Sequence, residues 1–199
     1  MKKILMATLL FGSIWGFLER SLGDWLHGYN MSVIMASIAV FLMAITRHHF
    51  NQPGMQAGMA IVASILRHFN PMGACLVCAS IAIFAEGIIF ELIWLTPWEK
   101  YSSIRMRISM GVISFYTIYA GGYILTQILT PLLTAKFYLA DLIAVMPKIF
   151  ASSTIAGAIG AFALPLAYLP LKIKLRDRSY YGVSASLTVF CWIAVIAGI

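Results

Sequence analysis

Apolar stretches separated by short polar turns leave this chain little choice of fold. Reading from the N-terminus, they run about Ile4–Leu26, Met31–Thr46, Met55–Leu66, Met72–Leu95, Ile108–Leu133, Lys148–Leu171 and Tyr181–Ile199. A stretch of roughly 20 apolar residues crosses the hydrocarbon core of a bilayer as a helix. Inside that core every backbone N–H and C=O must be paired within the protein, which helices achieve. The 199 residues are 61% hydrophobic and 11% charged, whereas soluble domains are about half apolar and a quarter charged. The expected fold is all-α: a polytopic transmembrane bundle of six to seven helices forming a single domain, 1–199. No soluble catalytic or nucleotide-binding domain fits beside it.

The breaks between spans carry turn chemistry. His27-Gly28-Tyr29-Asn30 follows the first, and Asn51-Gln52-Pro53-Gly54 follows the second. The third is short for a crossing and ends at Arg67-His68-Phe69-Asn70-Pro71. The segment Thr134–Pro147 reads as an amphipathic interfacial loop, and Pro165 and Pro170 are expected to bend or end the sixth span. Met1-Lys2-Lys3 before an apolar run has the look of a signal peptide. No small-x-small cleavage site follows, so the run is read as a retained span.

Charge sets the orientation. With a cytoplasmic N-terminus, Lys2, Lys3, Arg47, Lys100, Arg105, Arg107 and the basic loop Lys172–Arg178 fall inside, and Arg67, Lys136 and Lys148 outside. That asymmetry agrees with the positive-inside rule. The net charge of +7 is therefore a topology signal and not a nucleic-acid footprint. Trp25, Tyr29, Trp94, Trp98, Tyr101 and Tyr138 fall near the expected interfaces, as aromatic belts do.

Three acids lie inside spans: Glu19, Glu86 and Glu91. Ionisable groups at that depth are costly and face a protein interior or a cavity. Gly12, Gly16, Glu19 and Gly23 share one face of the first helix at helical spacing, and small residues on a face let another helix approach closely. Glu86 and Glu91, five positions apart, point in different directions. Glu19 and Glu86 are expected to meet in the outer-to-middle part of the bundle, with Arg67 or Arg20 as counter-charge. The functional reading is a ligand or ion pocket; the plain one is a Glu–Arg pair that fixes helix register. Glu91 is placed nearer the membrane surface, where it can snorkel.

Other chemistry is thinner. Cys75 and Cys78 form a C-x-x-C inside an apolar helix, read as small core residues. His27 and His68 share the outer side, a weak option for haem or a metal. No Ser-His-Asp, G-x-S-x-G, H-E-x-x-H or P-loop pattern occurs. An enzyme is not expected, and energy from ATP would come from a partner chain.

The run Gly12-Ser13-Ile14-Trp15-Gly16-Phe17-Leu18-Glu19, with Leu22-Gly23 and Leu26-His27, resembles substrate-binding S components of energy-coupling factor (ECF) transporters. So does Arg67–Glu86, with Asn70-Pro71 before a helix carrying Ala85-Glu86-Gly87. Together these cover under half the chain. The resemblance implies a bundle of about six helices that captures a small solute from the outer side. It also implies association with a membrane coupling subunit and ATPase subunits, docking through the small-residue face of the first helix at Ala7, Gly12 and Gly16.

The preferred expectation is a solute-binding subunit of an importer in a bacterial or archaeal plasma membrane. Glu19 and Glu86, helped by Trp15, Arg67 and Asn70, would hold a small polar or cationic solute, with no cofactor. Two rivals stand beside it. One is the membrane anchor of a redox complex, with haem at His27 and His68. The other is a stand-alone channel or permease.

Overall fold

The computed structural model describes residues 2–29, 31–69, 76–95, 103–133, 139–169 and 177–198. All regular structure among them is helical: α1 (Lys2–Leu18), a π-helical turn (Glu19–Gly23), α2 (Asp24–Gly28), α3 (Ser32–Phe50), α4 (Met55–His68), α5 (Leu76–Ile93), α6 (Ile104–Leu133), α7 (Leu139–Ala167) and α8 (Asp177–Ala197). Five of these, α3 and α5 to α8, are long and apolar enough to cross a membrane. The chain is a multi-pass membrane protein by that measure. Its outward faces agree: Leu92, Phe162 and Ile193 stand exposed, as side chains bathed in lipid do.

The helices form an arc around α3. Along the arc, α1 packs on α4, α4 on α5, α5 on α6 and α6 on α7, while α8 lies outside against α1. α3 touches α1, α4, α5, α6 and α7 and is the most buried of the spanning helices. Its alanines and flexible methionines explain this place. Ala36, Ala39 and Ala44 admit neighbouring backbones, and Met35 and Met43 fill the irregular gaps.

Close approach elsewhere depends on glycine. A Cβ at Gly12 would sit 2.8 Å from the Met59 carbonyl oxygen, and one at Gly16 would sit 2.7 Å from Leu66 Cβ. The small-residue face of α1 therefore presses on α4, as its spacing suggests. Ala7, Gly12 and Gly16 are all buried, with Gly12 and Gly16 covered by α4. This face cannot be offered to a partner chain without parting α1 from α4.

Several boundaries move. The first apolar stretch is one helical run from Lys2 to Gly28, interrupted by the π turn. α3 continues past Thr46 to Phe50, which brings Arg47 inside the bundle. α6 starts at Ile104 rather than Ile108, because the Ser103 hydroxyl accepts from the Met106 N–H at 3.2 Å and caps the first turn. The interfacial loop expected over Thr134–Pro147 is replaced from Leu139 by α7, which carries Pro147 within it. Prolines are tolerated in membrane helices when neighbours re-satisfy the freed carbonyls. α7 ends two residues after Pro165, as expected; Pro170 lies outside the described residues. With 14 residues, α4 is about 21 Å long against a hydrocarbon core of ~30 Å, the short third span that the sequence suggests.

Candidate functional site

Two polar clusters sit at opposite ends of the bundle, and they differ in how well they are satisfied. At the end where α3 and α5 finish and α4 begins, Arg47 Nη2 donates to the Trp94 carbonyl at 2.7 Å. Its Nη1 lies 3.5 Å from Glu91 Oε2. Glu91 Oε1 accepts from the Gln56 backbone N–H at 3.0 Å. The Gln56 amide, turned to match its neighbours, donates to the same oxygen at 2.9 Å and accepts from Thr46 Oγ1 at 3.2 Å. Glu91 thus does not snorkel. It ties α3, α4 and α5 together. Trp94 is also core and not belt: it is buried, stacks on Phe90 with centroids 5.3 Å apart, and donates to Ser114 Oγ at 3.1 Å. Trp25 and Tyr29, by contrast, are exposed as expected; Trp98, Tyr101 and Tyr138 lie outside the described residues.

The second cluster occupies the half of the bundle away from Met1. The π turn, the start of α3, the end of α4, the first two thirds of α5 and the last third of α6 line a cavity of about 370 Å³. That volume is at the small end of ligand-binding cavities. Glu19, Arg67 and Glu86 all line it, so three of the five expected residues converge. Glu86 is 6% exposed, and its Oε2 has no hydrogen-bond partner among the described residues. A buried carboxylate oxygen in that state is strongly unfavourable unless something pairs with it.

The acids reach the cavity for local reasons. At Glu19 the α-helix of α1 widens into a π turn, a device frequent at functional sites. Arg67 Nη1 donates to the Glu19 carbonyl at 3.2 Å, and Trp15 Nε1 donates to Glu19 Oε1 at 3.4 Å. A Cβ at Gly23 would lie 2.9 Å from Glu19 Oε2. Gly23 therefore makes room for the carboxylate and not for another helix. On α6, a Cβ at Gly122 would lie 3.2 Å from Glu86 Cγ, so this glycine does the same for Glu86. Trp15 is fully buried and absent from the cavity wall; it orients Glu19.

No family model, curated protein or solved structure matches the chain.

The remaining expected residues fare differently. Asn70 and Cys75 lie outside the described residues. His68 is exposed at the end of α4, and His27 falls in α2. Among the described residues no group of three or more His, Cys, Asp and Glu is placed to hold a metal ion. Cys78 is not the plain core residue expected: it is disulfide-bonded and lines the cavity. Sequence reasoning missed Ser32, Tyr123, Thr126 and Gln127, which also line it. Tyr123 OH donates to Ser32 Oγ at 2.6 Å, and its ring centroid lies 4.7 Å from that of Tyr119. The Ala120-Gly121-Gly122 run in α6 was the available signal for this wall.

Arg67 is 6% exposed and holds the π turn from α4. Replacing it with methionine is expected to cost about 1–3 kcal/mol, the range for stranding a buried polar partner. Hydrogen exchange should locate that loss at residues 19–28. Protection there equal to the parent protein would show that the turn does not depend on Arg67.

Proposed function

We propose that this protein is a membrane-embedded solute-binding subunit of an importer. The observation that supports the reading is Glu86, whose deeply buried carboxylate has an unpartnered oxygen inside a cavity that also takes in Glu19 and Arg67. At the opposite end of the bundle Arg47 and Glu91 pair with each other and with Gln56, so that acid is explained by register. Glu86 has no such explanation. Intramembrane acids that face cavities mark substrate or ion sites.

On this reading the solute is small and polar or cationic, and it supplies the donor that Glu86 lacks. The N-terminus is cytoplasmic and the membrane is a bacterial or archaeal plasma membrane, which turns the cavity toward the outside. The basic residues support this side assignment. The site binds and does no chemistry. Energy comes from partner subunits, a membrane coupling protein with ATPases, as the resemblance to ECF S components implies.

Native mass spectrometry of protein purified in mild detergent tests the reading. A small-molecule adduct is expected on the parent protein. Glu86→Gln should weaken its retention at least about tenfold, in line with loss of a charged hydrogen bond. Full retention by both Glu19→Gln and Glu86→Gln would rule the cavity out as the binding site.

A further inference from the structure

The chemistry of the cavity wall narrows the ligand beyond "polar or cationic", and this step rests on the proposed binding role. We infer that the cavity takes a monovalent organic cation: an ammonium group on a compact apolar body, seated between Glu86 and the ring of Tyr123. Three observations lead there. First, an open acceptor. Glu86 Oε2 lies at the cavity wall with no hydrogen-bond partner among the described residues, so the ligand has to bring a donor, and an ammonium group brings one whose charge suits a carboxylate. Second, the wall is mostly carbon, with Met35, Ala79, Ala82 and Ile83 along it. Such a wall offers an apolar body what hydrated ions cannot use. Calcium and magnesium need six or more oxygen ligands or an ordered water shell, and among the described residues no group of three or more His, Cys, Asp and Glu is placed to hold a metal ion.

The third observation is how Tyr123 is held. Its hydroxyl is committed to Ser32 Oγ at 2.6 Å, and its ring leans on that of Tyr119 with an interplanar angle of 31°. Tyr123 also lines a second, smaller cavity together with Ser32 and Gln127. It thus belongs to the walls of both cavities and is held in place by Ser32 and Tyr119. Desolvated ammonium groups bind to aromatic faces by attraction to the ring quadrupole, and a carboxylate close by neutralises the charge. A cation between the two gains from both.

The experiment is thermal unfolding of the full-length protein in detergent, with tetramethylammonium, n-butylammonium, potassium and magnesium chlorides compared at matched ionic strength. A ligand that binds the folded state raises Tm saturably. The two organic cations should do so and the inorganic ones should not. Tyr123→Leu should weaken the organic cations about tenfold, the scale of a buried cation–π contact, and Tyr123→Phe, which keeps the ring, should restore most of it. Glu86→Gln should abolish the shift. If Tyr123→Leu does not fold, the organic-against-inorganic comparison on the parent protein still decides. A saturable shift with magnesium or potassium, no shift with either organic cation, or unweakened binding by Tyr123→Leu would each overturn the inference. If that happens while Glu86→Gln still loses the native adduct, solute binding stands and only the ligand class falls; if both Glu19→Gln and Glu86→Gln keep the adduct, the binding role falls as well.

Discussion

Gly160→Val is expected to leave almost no folded protein to extract from the membrane. α6 and α7 cross with their backbones in contact at two glycines. A Cβ at Gly160 would fall on the Gly111 carbonyl oxygen, and one at Gly111 on the Gly160 carbonyl. Phe115 Cγ would lie 2.7 Å from the former, and Leu164 Cβ 3.0 Å from the latter. Flexible side chains can swing away from an added methyl; two helix backbones cannot. Overpacking a tight core costs about 1–3 kcal/mol when side chains absorb it, and more when backbones must part. Association of membrane helices relies on such close packing, since lipid supplies no hydrophobic drive between them. The cost here should therefore exceed ~3 kcal/mol. Size-exclusion chromatography of a fluorescent fusion would show loss of the monodisperse peak. Gly182→Ala serves as the control, because a Cβ there meets nothing within 4 Å. A Gly160→Val protein that runs and melts like its parent would mean that the α6–α7 crossing is wrong.

Arg47→Leu is the second large effect. Arg47 is 3% exposed and faces Glu91, Gln56 and the Trp94 carbonyl. Removing one partner of a buried ion pair strands the other, at roughly 3–5 kcal/mol. Replacing both partners with apolar residues of similar size often costs little. Arg47→Leu alone should therefore lower the unfolding temperature sharply, and adding Glu91→Met should recover most of the loss. Equal destabilisation by the single and double variants would show that the pair is not coupled. Solute retention is a separate readout. The pair lies at the opposite end of the bundle from the cavity, so the double variant should retain solute normally.

Much of this architecture is legible in the residues. The apolar stretches, the Asn51–Gly54 turn, the short α4 and the α1 glycine face all follow from spacing and turn chemistry. So does the divergence of Glu86 from Glu91, since five positions on a helix turn a side chain to another face. What escaped depends on long-range fit. Nothing local at Glu19–Gly23 announces a π turn, and the Glu19 carbonyl within it is bound by Arg67, 48 residues on. Arg47 reads as a loop cation until α5 supplies Glu91. Gly23 reads as a helix-packing residue, yet it clears space for the Glu19 carboxylate. Tyr123 and Ser32 stand 91 residues apart, and no periodicity joins them.

The most direct measurement of the central claim is a high-resolution density map of the protein purified gently from its native membrane. The account predicts density for a compact non-protein molecule in the cavity between the π turn and α3 to α6, within hydrogen-bonding distance of Glu86. A map in which Glu86 is bonded to another side chain of this protein, or turned out into lipid, would contradict it.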